Sequence, residues 1–540
     1  MSMRISFVEP RPAGRNVYDH VLLPRLGPPL MAGMLSEAGH DTQVFCETLA
    51  PVDIGECLSA DLVGISGTTA TQPSGYALAD ELAAAGVPVV LGGSHVSFCV
   101  DEALQHAPFV VRGEGQQTIL ELVDALERGL PLNDIAGLSW RDRHGEAHHN
   151  PARSACSQHE FERLPSPDLT LIRGHERMGV KPVMTQWGCP YDCEFCTVTA
   201  QFSRLVRHRR TDQVLAELAG LDAEEVFFHD DNFVVDKNRT AELLRAIVAA
   251  GRTLLFAAQM RADTVLRSRR SSEIDDEFLE LLKEAGCRMA MIGFESVSER
   301  NLQSIGKRMS VTVGEAAVRA FHEHDIAVHG MFVVGLDFDE VSSAQATAEI
   351  AGRLGIDTVQ LMMLTPAPGT RLWRRLAAEG RLMDADWSLF DGHHAMLRPE
   401  RMSPLQLQLS TMQAMRSFYS RSAIAKPAIR GVLSHLPQLL TLAARHSASL
   451  VGALGQETLQ SRRNHGVAAD YPGSSAPAEE ASALARALTR VSASLSRDER
   501  ARIEAALGIA ALRLYGRRRL AEFSDQPHSR AHIARLRALA

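Results

Sequence analysis

Residues 1 to about 140 alternate short apolar runs with amphipathic stretches of helical period. MRISFVEP at 3–10 predicts a strand. PPLMAGMLSEA at 28–38 predicts a helix stopped by Gly39. DTQVFCE, ADLVGISG, VPVVLGG and APFVVRGEG read as further strands, and residues near 75–85 and TILELVDALERG as helices between or after them. ADLVGISG is almost continuously apolar, as a strand buried on both faces must be. Strands alternating with helices predict a parallel sheet covered on both sides, the doubly wound (Rossmann-like) α/β arrangement.

Residues 141–175 are polar and proline-bearing and read as a linker. A second alternating series follows. Its expected strands lie at 183–187, 225–229, 254–259, 289–294, 328–334 and 358–363, separated by helical stretches such as DEFLELLKEAG. Six strand–helix units predict a partial (β/α)6 barrel within 176–375, with function on the loops at the carboxyl ends of its strands. Residues 376–540 are expected to be mostly helical, with helices over 403–455 and 478–520 and a flexible stretch near 463–480. There is no internal repeat.

Composition narrows the function. The chain has 540 residues and a formal net charge of −8, which argues for no nucleic-acid partner. No charge-free apolar run is long enough for a transmembrane segment, and the N-terminus lacks a secretory apolar core, so a cytoplasmic location is expected. The 8 cysteines are too few for a disulfide scaffold in a chain of this length. Three of them crowd into Cys189-Pro190-Tyr191-Asp192-Cys193-Glu194-Phe195-Cys196, directly after the first strand of the second series. A 4Fe-4S cubane normally takes four thiolates. Three close thiolates hold three irons and leave the fourth open to a chelating ligand. A zinc site completed by a distant histidine fits the spacing poorly, because such sites pair C-x₂-C elements. Ordinary buried thiols are the remaining alternative.

The C-x₃-C-x₂-C motif after a first barrel strand resembles the radical S-adenosylmethionine (SAM) superfamily, over about residues 180–375. Phe228-His229-Asp230-Asp231-Asn232-Phe233, Gln259-Met260-Arg261, Gly293-Phe294-Glu295-Ser296 with Lys307, His329–Gly335 and Thr365–Thr370 resemble later segments of that barrel. The resemblance implies metal ligation by Cys189, Cys193 and Cys196, and SAM contacts from Asp230, Asp231 and Glu295. A solvated loop charge is the ordinary alternative for each carboxylate, and a surface lysine for Lys307.

In the first domain, Ser66-Gly67-Thr68, Gly92-Gly93-Ser94-His95 and Arg112-Gly113-Glu114-Gly115 each follow a predicted parallel strand. Glycine there permits close backbone approach to a bulky ligand. Together with Pro28-Pro29 and Glu37-Ala38-Gly39-His40, they resemble the cobalamin-binding domain that precedes some radical SAM barrels. The resemblance implies cobalamin contacts from Ser66, Thr68, Gly92, Gly93, Gly113 and Glu114. The cobalt-ligating pattern Asp-x-His-x-x-Gly is absent; Asp19-His20 has the wrong spacing, and His20 and His95 read as loop residues.

The family so identified implies three cofactors: a 4Fe-4S cluster, SAM and cobalamin. It implies methylation of an unactivated carbon of a small-molecule substrate, with a flavodoxin- or ferredoxin-type electron donor. Cobalamin-assisted cyclisation or rearrangement is the alternative within the family. Methylthiotransfer would need further cluster cysteines, which Cys46, Cys57 and Cys99 do not form. A cobalamin sensor would have no use for an open iron. Asp391-Gly392-His393-His394, just past the barrel, reads either as a substrate-reaching segment or as a polar turn.

Overall fold

The computed structural model describes residues 2–12, 14, 23–223, 225–251, 254–383, 386–420, 509, 513–514, 516–518, 520, 522–523 and 526–539. The first sheet holds β1 (Arg4–Glu9), β2 (Asp41–Cys46), β3 (Leu62–Ser66), β4 (Val89–Gly92), β5 (Phe109–Val111), β6 (Leu138–Arg141) and β7 (Ala147–His149). Their order is β2-β1-β3-β4-β5-β6-β7. The first five strands run parallel. The strand order reverses between β1 and β3, which makes the carboxyl ends of β1, β3 and β4 the natural ligand edge.

Alternation along each strand sends side chains to two cores. Ile5, Phe7, Leu62 and Val90 join the helices Gly27–Glu37 and Gln116–Arg128 in one cluster. Val8, Val63, Ile65, Val89 and Leu91 join Ala79 and Leu82 of the helix Gln72–Ala84 in the other. Each fully buried Leu, Ile or Phe here contributes about 1.5–3 kcal/mol.

The stretch expected to be a linker, 141–175, is largely built into this domain. β6 and β7 form an antiparallel hairpin on the sheet edge. Phe161 and Ile172 are buried in the same cluster as Phe7. Two aromatic or aliphatic anchors far apart in a polar sequence carry no periodic signal, so the sequence reads as a loop.

The second sheet is fully parallel, in the order β15-β14-β13-β12-β11-β8. Its strands are β8 (Lys181–Val183), β11 (Glu225–Phe228), β12 (Leu255–Met260), β13 (Cys287–Glu295), β14 (Ala327–Val334) and β15 (Thr358–Met363). The expected first strand, 183–187, is divided. Residues 181–183 stay in the barrel, while β9 (Gln186–Trp187) pairs antiparallel with β10 (Arg207–His208) in a separate ribbon. On β14, buried Val328, Phe332 and Val334 join the cluster that packs under the helices, while His329, Met331 and Val333 alternate with them and are part-exposed. The helix Asp276–Glu284 shows why the outer layer forms. Asp275 caps it by accepting from Phe278 N–H, and Phe278, Leu279 and Leu282 are buried.

The β15 edge is covered. Tyr419 donates its hydroxyl to Val359 O at 2.7 Å and accepts from Val359 N–H at 2.9 Å, and Arg513 donates to Ile356 O. Covering a barrel edge in this way removes a template for strand addition. Residues 404–418 of the expected C-terminal helices form the helix Pro404–Phe418. The expected helix over 421–455, most of 478–520 and the stretch near 463–480 lie outside the described residues.

Candidate active site at the domain junction

The cysteine loop leaves β8 and is held from three directions. Asp230, only 1% exposed at the end of β11, accepts from Thr185 N–H at 2.7 Å, Gln186 N–H at 3.2 Å and the Thr185 hydroxyl. Asp231 accepts from Gly188 N–H at 3.0 Å, one residue before Cys189. Gly188 has φ +89, and a β-carbon there would collide with the Leu205 carbonyl oxygen. From the far side, Arg375 forks Glu194 at 2.8 and 3.1 Å, and Arg371 holds Asp192 at 2.7 Å.

Cys189, Cys193 and Cys196 are free thiols of intermediate exposure. Among the described residues, the groups tight enough for a single ion are His95–Cys99–Glu102 and Asp142–Glu146–His148, with ligand atoms within 4.8 Å of one another. The three loop cysteines are not such a group, so they suit a polynuclear cluster better than one zinc ion. Burial pushes all three thiols up, Cys193 to about 11. At neutral pH such thiols become thiolates when a metal binds them. Lys307 and Arg261 oppose the burial at Cys193 and favour its charged form. The donor set fits a three-thiolate cluster.

The structure separates the residues assigned to SAM. Asp230 faces the loop backbone and has no free surface; it is a positioning residue. Asp231 lines the junction cleft described below. Glu295 ends β13 at a register shift, with φ +63, and accepts from Lys307 Nζ at 2.6 Å. Both side chains are nearly buried. A non-glycine residue in the left-handed region at a bulge is a conformation that the surrounding packing has to impose. Arg261 is also buried, pairing with Asp263 and stacking on Tyr191 at 3.7 Å.

The loops of the first domain converge. Ser66, Thr68, Gly92, Gly93, Gly113 and Glu114 line one cleft of ≈370 Å³. A β-carbon on Gly92 or Gly113 would meet nothing, so both present bare backbone to open space. The opposite wall belongs to the barrel and carries Met184, Trp187, Val198, Phe202, His229 and Asp231. A wall of backbone and small residues facing an apolar wall fits a large flat macrocycle such as cobalamin. His95 does not line the cleft. It is 1% exposed and lies 3.4 Å from both Thr69 Oγ1 and Glu102 Oε1. Asp19 and His20 lie outside the described residues.

Two residues here have no sequence signal. Arg25 donates to the Thr68 hydroxyl at 3.3 Å, and its N–H donates to Glu9 at 2.9 Å. Arg207 pairs with Glu114. Both act through contacts with sequence separations of 16 to 93 residues, which no local pattern encodes. Asp391 and His394 are not at the cleft. His394 is buried, with Asp391 at 3.0 Å on one ring nitrogen and the Ser529 hydroxyl at 3.2 Å on the other, which ties the segment to the helix Pro527–Leu539.

The sequence profile of the Radical SAM superfamily matches residues 183–351, and that of the B12 binding domain matches residues 21–123. An uncharacterized methyltransferase of Pyrococcus horikoshii is 31% identical over 440 residues, covering 75% of this chain and 94% of that protein. An anaerobic magnesium-protoporphyrin IX monomethyl ester cyclase of Synechocystis sp. is 27% identical over 442 residues, covering 75% and 84%. The fold is similar to that of the radical S-adenosylmethionine methyltransferase TsrM from Kitasatospora setae, solved with cobalamin and a 4Fe-4S cluster bound. The TM-score is 0.58 at 20% identity, over 70% of this chain and 75% of that one. No described helix is long and apolar enough to cross a membrane. The chain belongs to the radical SAM family whose members carry a B12-binding domain, and it is a cobalamin-dependent enzyme of that family.

Proposed function

We propose that this enzyme methylates a carbon of a small-molecule substrate, with residues 1–140 holding cobalamin and residues 176–375 holding the cluster and SAM. One observation carries the reading: a single cleft is walled on one side by Ser66, Thr68, Gly92 and Gly113 and on the other by the helix that begins at the third cysteine. Cofactors held at these two walls would border one reaction space. When bound, they supply a carbon-centred radical from SAM and a transferable methyl group.

The residues of the chain position and enclose. Backbone at Gly92 and Gly113 lets a macrocycle lie against the sheet edge. Trp187, Phe202 and Met184 keep water from the opposite face, which strengthens every polar contact inside. Asp231 and Glu295 serve the SAM amino group, and Asp230 fixes the loop that bears the cysteines. A flavodoxin- or ferredoxin-type donor supplies electrons, in the cytoplasm.

The cyclase relative keeps one rival reading, cyclisation without net methylation. SAM labelled in its methyl group separates the two. A methyltransferase places the label in product and forms S-adenosylhomocysteine and 5′-deoxyadenosine in step. Turnover that yields 5′-deoxyadenosine and unlabelled product rules methylation out.

A further inference from the structure

Pro190, Tyr191 and Asp192 separate the first two cluster cysteines, and all three line a second concavity of ≈480 Å³. Arg204, Arg269 and Arg308 surround it, and all three are exposed. The carboxylates of the concavity are already matched: Asp192 by Arg371 at 2.7 Å and Asp263 by Arg261 at 2.9 Å. Among the described residues, no carboxylate closes an ion pair with Arg204, Arg269 or Arg308. The local field is therefore positive. Leu205 beside Arg204 is 46% exposed and supplies an apolar contact at the rim.

We infer that this face is the docking surface for a small acidic one-electron carrier protein. The inference rests on the proposed function, since it requires the cluster. Position argues for a redox partner over other polyanions. The floor of the concavity is the cluster loop itself, and electron transfer falls steeply with distance. Charge argues for an acidic one. The chain carries a net charge of −8, so an acidic protein is repelled by the molecule as a whole and attracted at this patch. Complementary charge of this kind sets orientation and on-rate. The Tyr191 ring lies 3.7 Å from the Arg261 guanidinium and 4.7 Å from that of Arg269, so the patch abuts the cluster loop, while the loop itself is held by Asp230, Asp231 and Arg375. One electron leaves the carrier's reduced centre, which is oxidised by one unit, and the cluster is reduced by one; no bond is made or broken.

The test titrates purified, oxidised flavodoxin against the full-length, iron-loaded protein by calorimetry at low and high salt. The combined variant Arg204→Glu, Arg269→Glu, Arg308→Glu should bind about tenfold or more weaker, a loss of about 1.4 kcal/mol or greater. Its residual binding should lose most of the salt sensitivity of the parent. Lysine at the same three positions should restore affinity. Bleaching of the cluster by flavodoxin hydroquinone should slow in parallel, while bleaching by dithionite should not change. If the combined variant fails to fold, Arg269→Gln alone should show a smaller loss in the same titration. Equal affinity of parent and variants overturns the inference, as does equal slowing with dithionite. Tighter binding of single-stranded DNA or anionic vesicles than of flavodoxin also overturns it. A chain that assembles no cluster defeats the proposed function as well; a methylating enzyme indifferent to these arginines defeats only the docking face.

Discussion

Arg207 and Glu114 form an ion pair with 2.6 Å between Nη1 and Oε1, and their side chains are 3% and 8% exposed. Glu114 lies on the loop after β5 that lines the cleft, and Arg207 sits on β10, paired with β9 just before the cysteine loop. The same carboxylate accepts from Cys156 N–H at 2.9 Å. Glu114, expected to contact cobalamin, thus also joins the two halves of the cleft. Removing one partner of a buried pair strands the other charge, at a cost of about 3–5 kcal/mol. Arg207→Ala should lower the unfolding midpoint in denaturant by a corresponding amount and weaken cobalamin retention. An unchanged midpoint would show that the pair does not hold the domains together.

Iron content tests the cysteine assignment directly. The anaerobically reconstituted protein should hold about four irons and four sulfides per chain. Cys189→Ala, Cys193→Ala and Cys196→Ala should each abolish or destabilise this, and Cys46→Ala and Cys156→Ala should leave it intact. Zinc alone in anaerobic preparations would refute the cluster.

Gly92 and Gly93 should part company under substitution. A side chain on Gly92 enters open cleft, so Gly92→Trp should fold, keep its iron and lose cobalamin. Gly93 has φ +105, and a β-carbon there collides with the Gly67 carbonyl oxygen. Gly93→Trp should instead reduce soluble yield. Cobalamin retained at full affinity by Gly92→Trp would place the cofactor elsewhere.

Asp230 gives a pH dependence of definite sign. Burial pushes its carboxyl up to about 7. The unfolded chain ionises this group at about 3.9, so the folded state holds the extra proton between those values. Stability from this residue therefore falls as pH rises from about 4 to about 7 and levels off above. In Asp230→Asn the amide oxygen still accepts from Thr185 and Gln186 N–H, and nothing titrates. Thermal unfolding across that range should show the variant gaining on the parent as pH rises, by a few kcal/mol at about 1.4 kcal/mol per pKa unit. Parallel curves would mean that Asp230 is ionised in the fold throughout.

Local pattern determined much of this molecule. The parallel strands of the first domain are legible because strands buried on both faces must be continuously apolar, as in ADLVGISG. The barrel strands from β11 onward are legible as short, mostly apolar runs set between helical stretches, with alternate residues buried as in β12 and β14, and the cysteine motif is legible because ligands of one cluster must be close along a loop. Tertiary structure decided the rest, through contacts between residues far apart in sequence. Residues 184–187 leave the barrel because Asp230, more than forty positions later, takes the N–H groups of Thr185 and Gln186. Phe161 and Ile172 turn an apparent linker into core because a hydrophobic cluster formed elsewhere accepts them. The sequence lists Asp230 and Asp231 as neighbours of equal promise. Both lie past the last residue of β11, where tertiary hydrogen bonds decide their places: Asp230 is sealed beneath the loop by the Thr185 and Gln186 N–H groups, and Asp231 holds Gly188 N–H and faces the cleft.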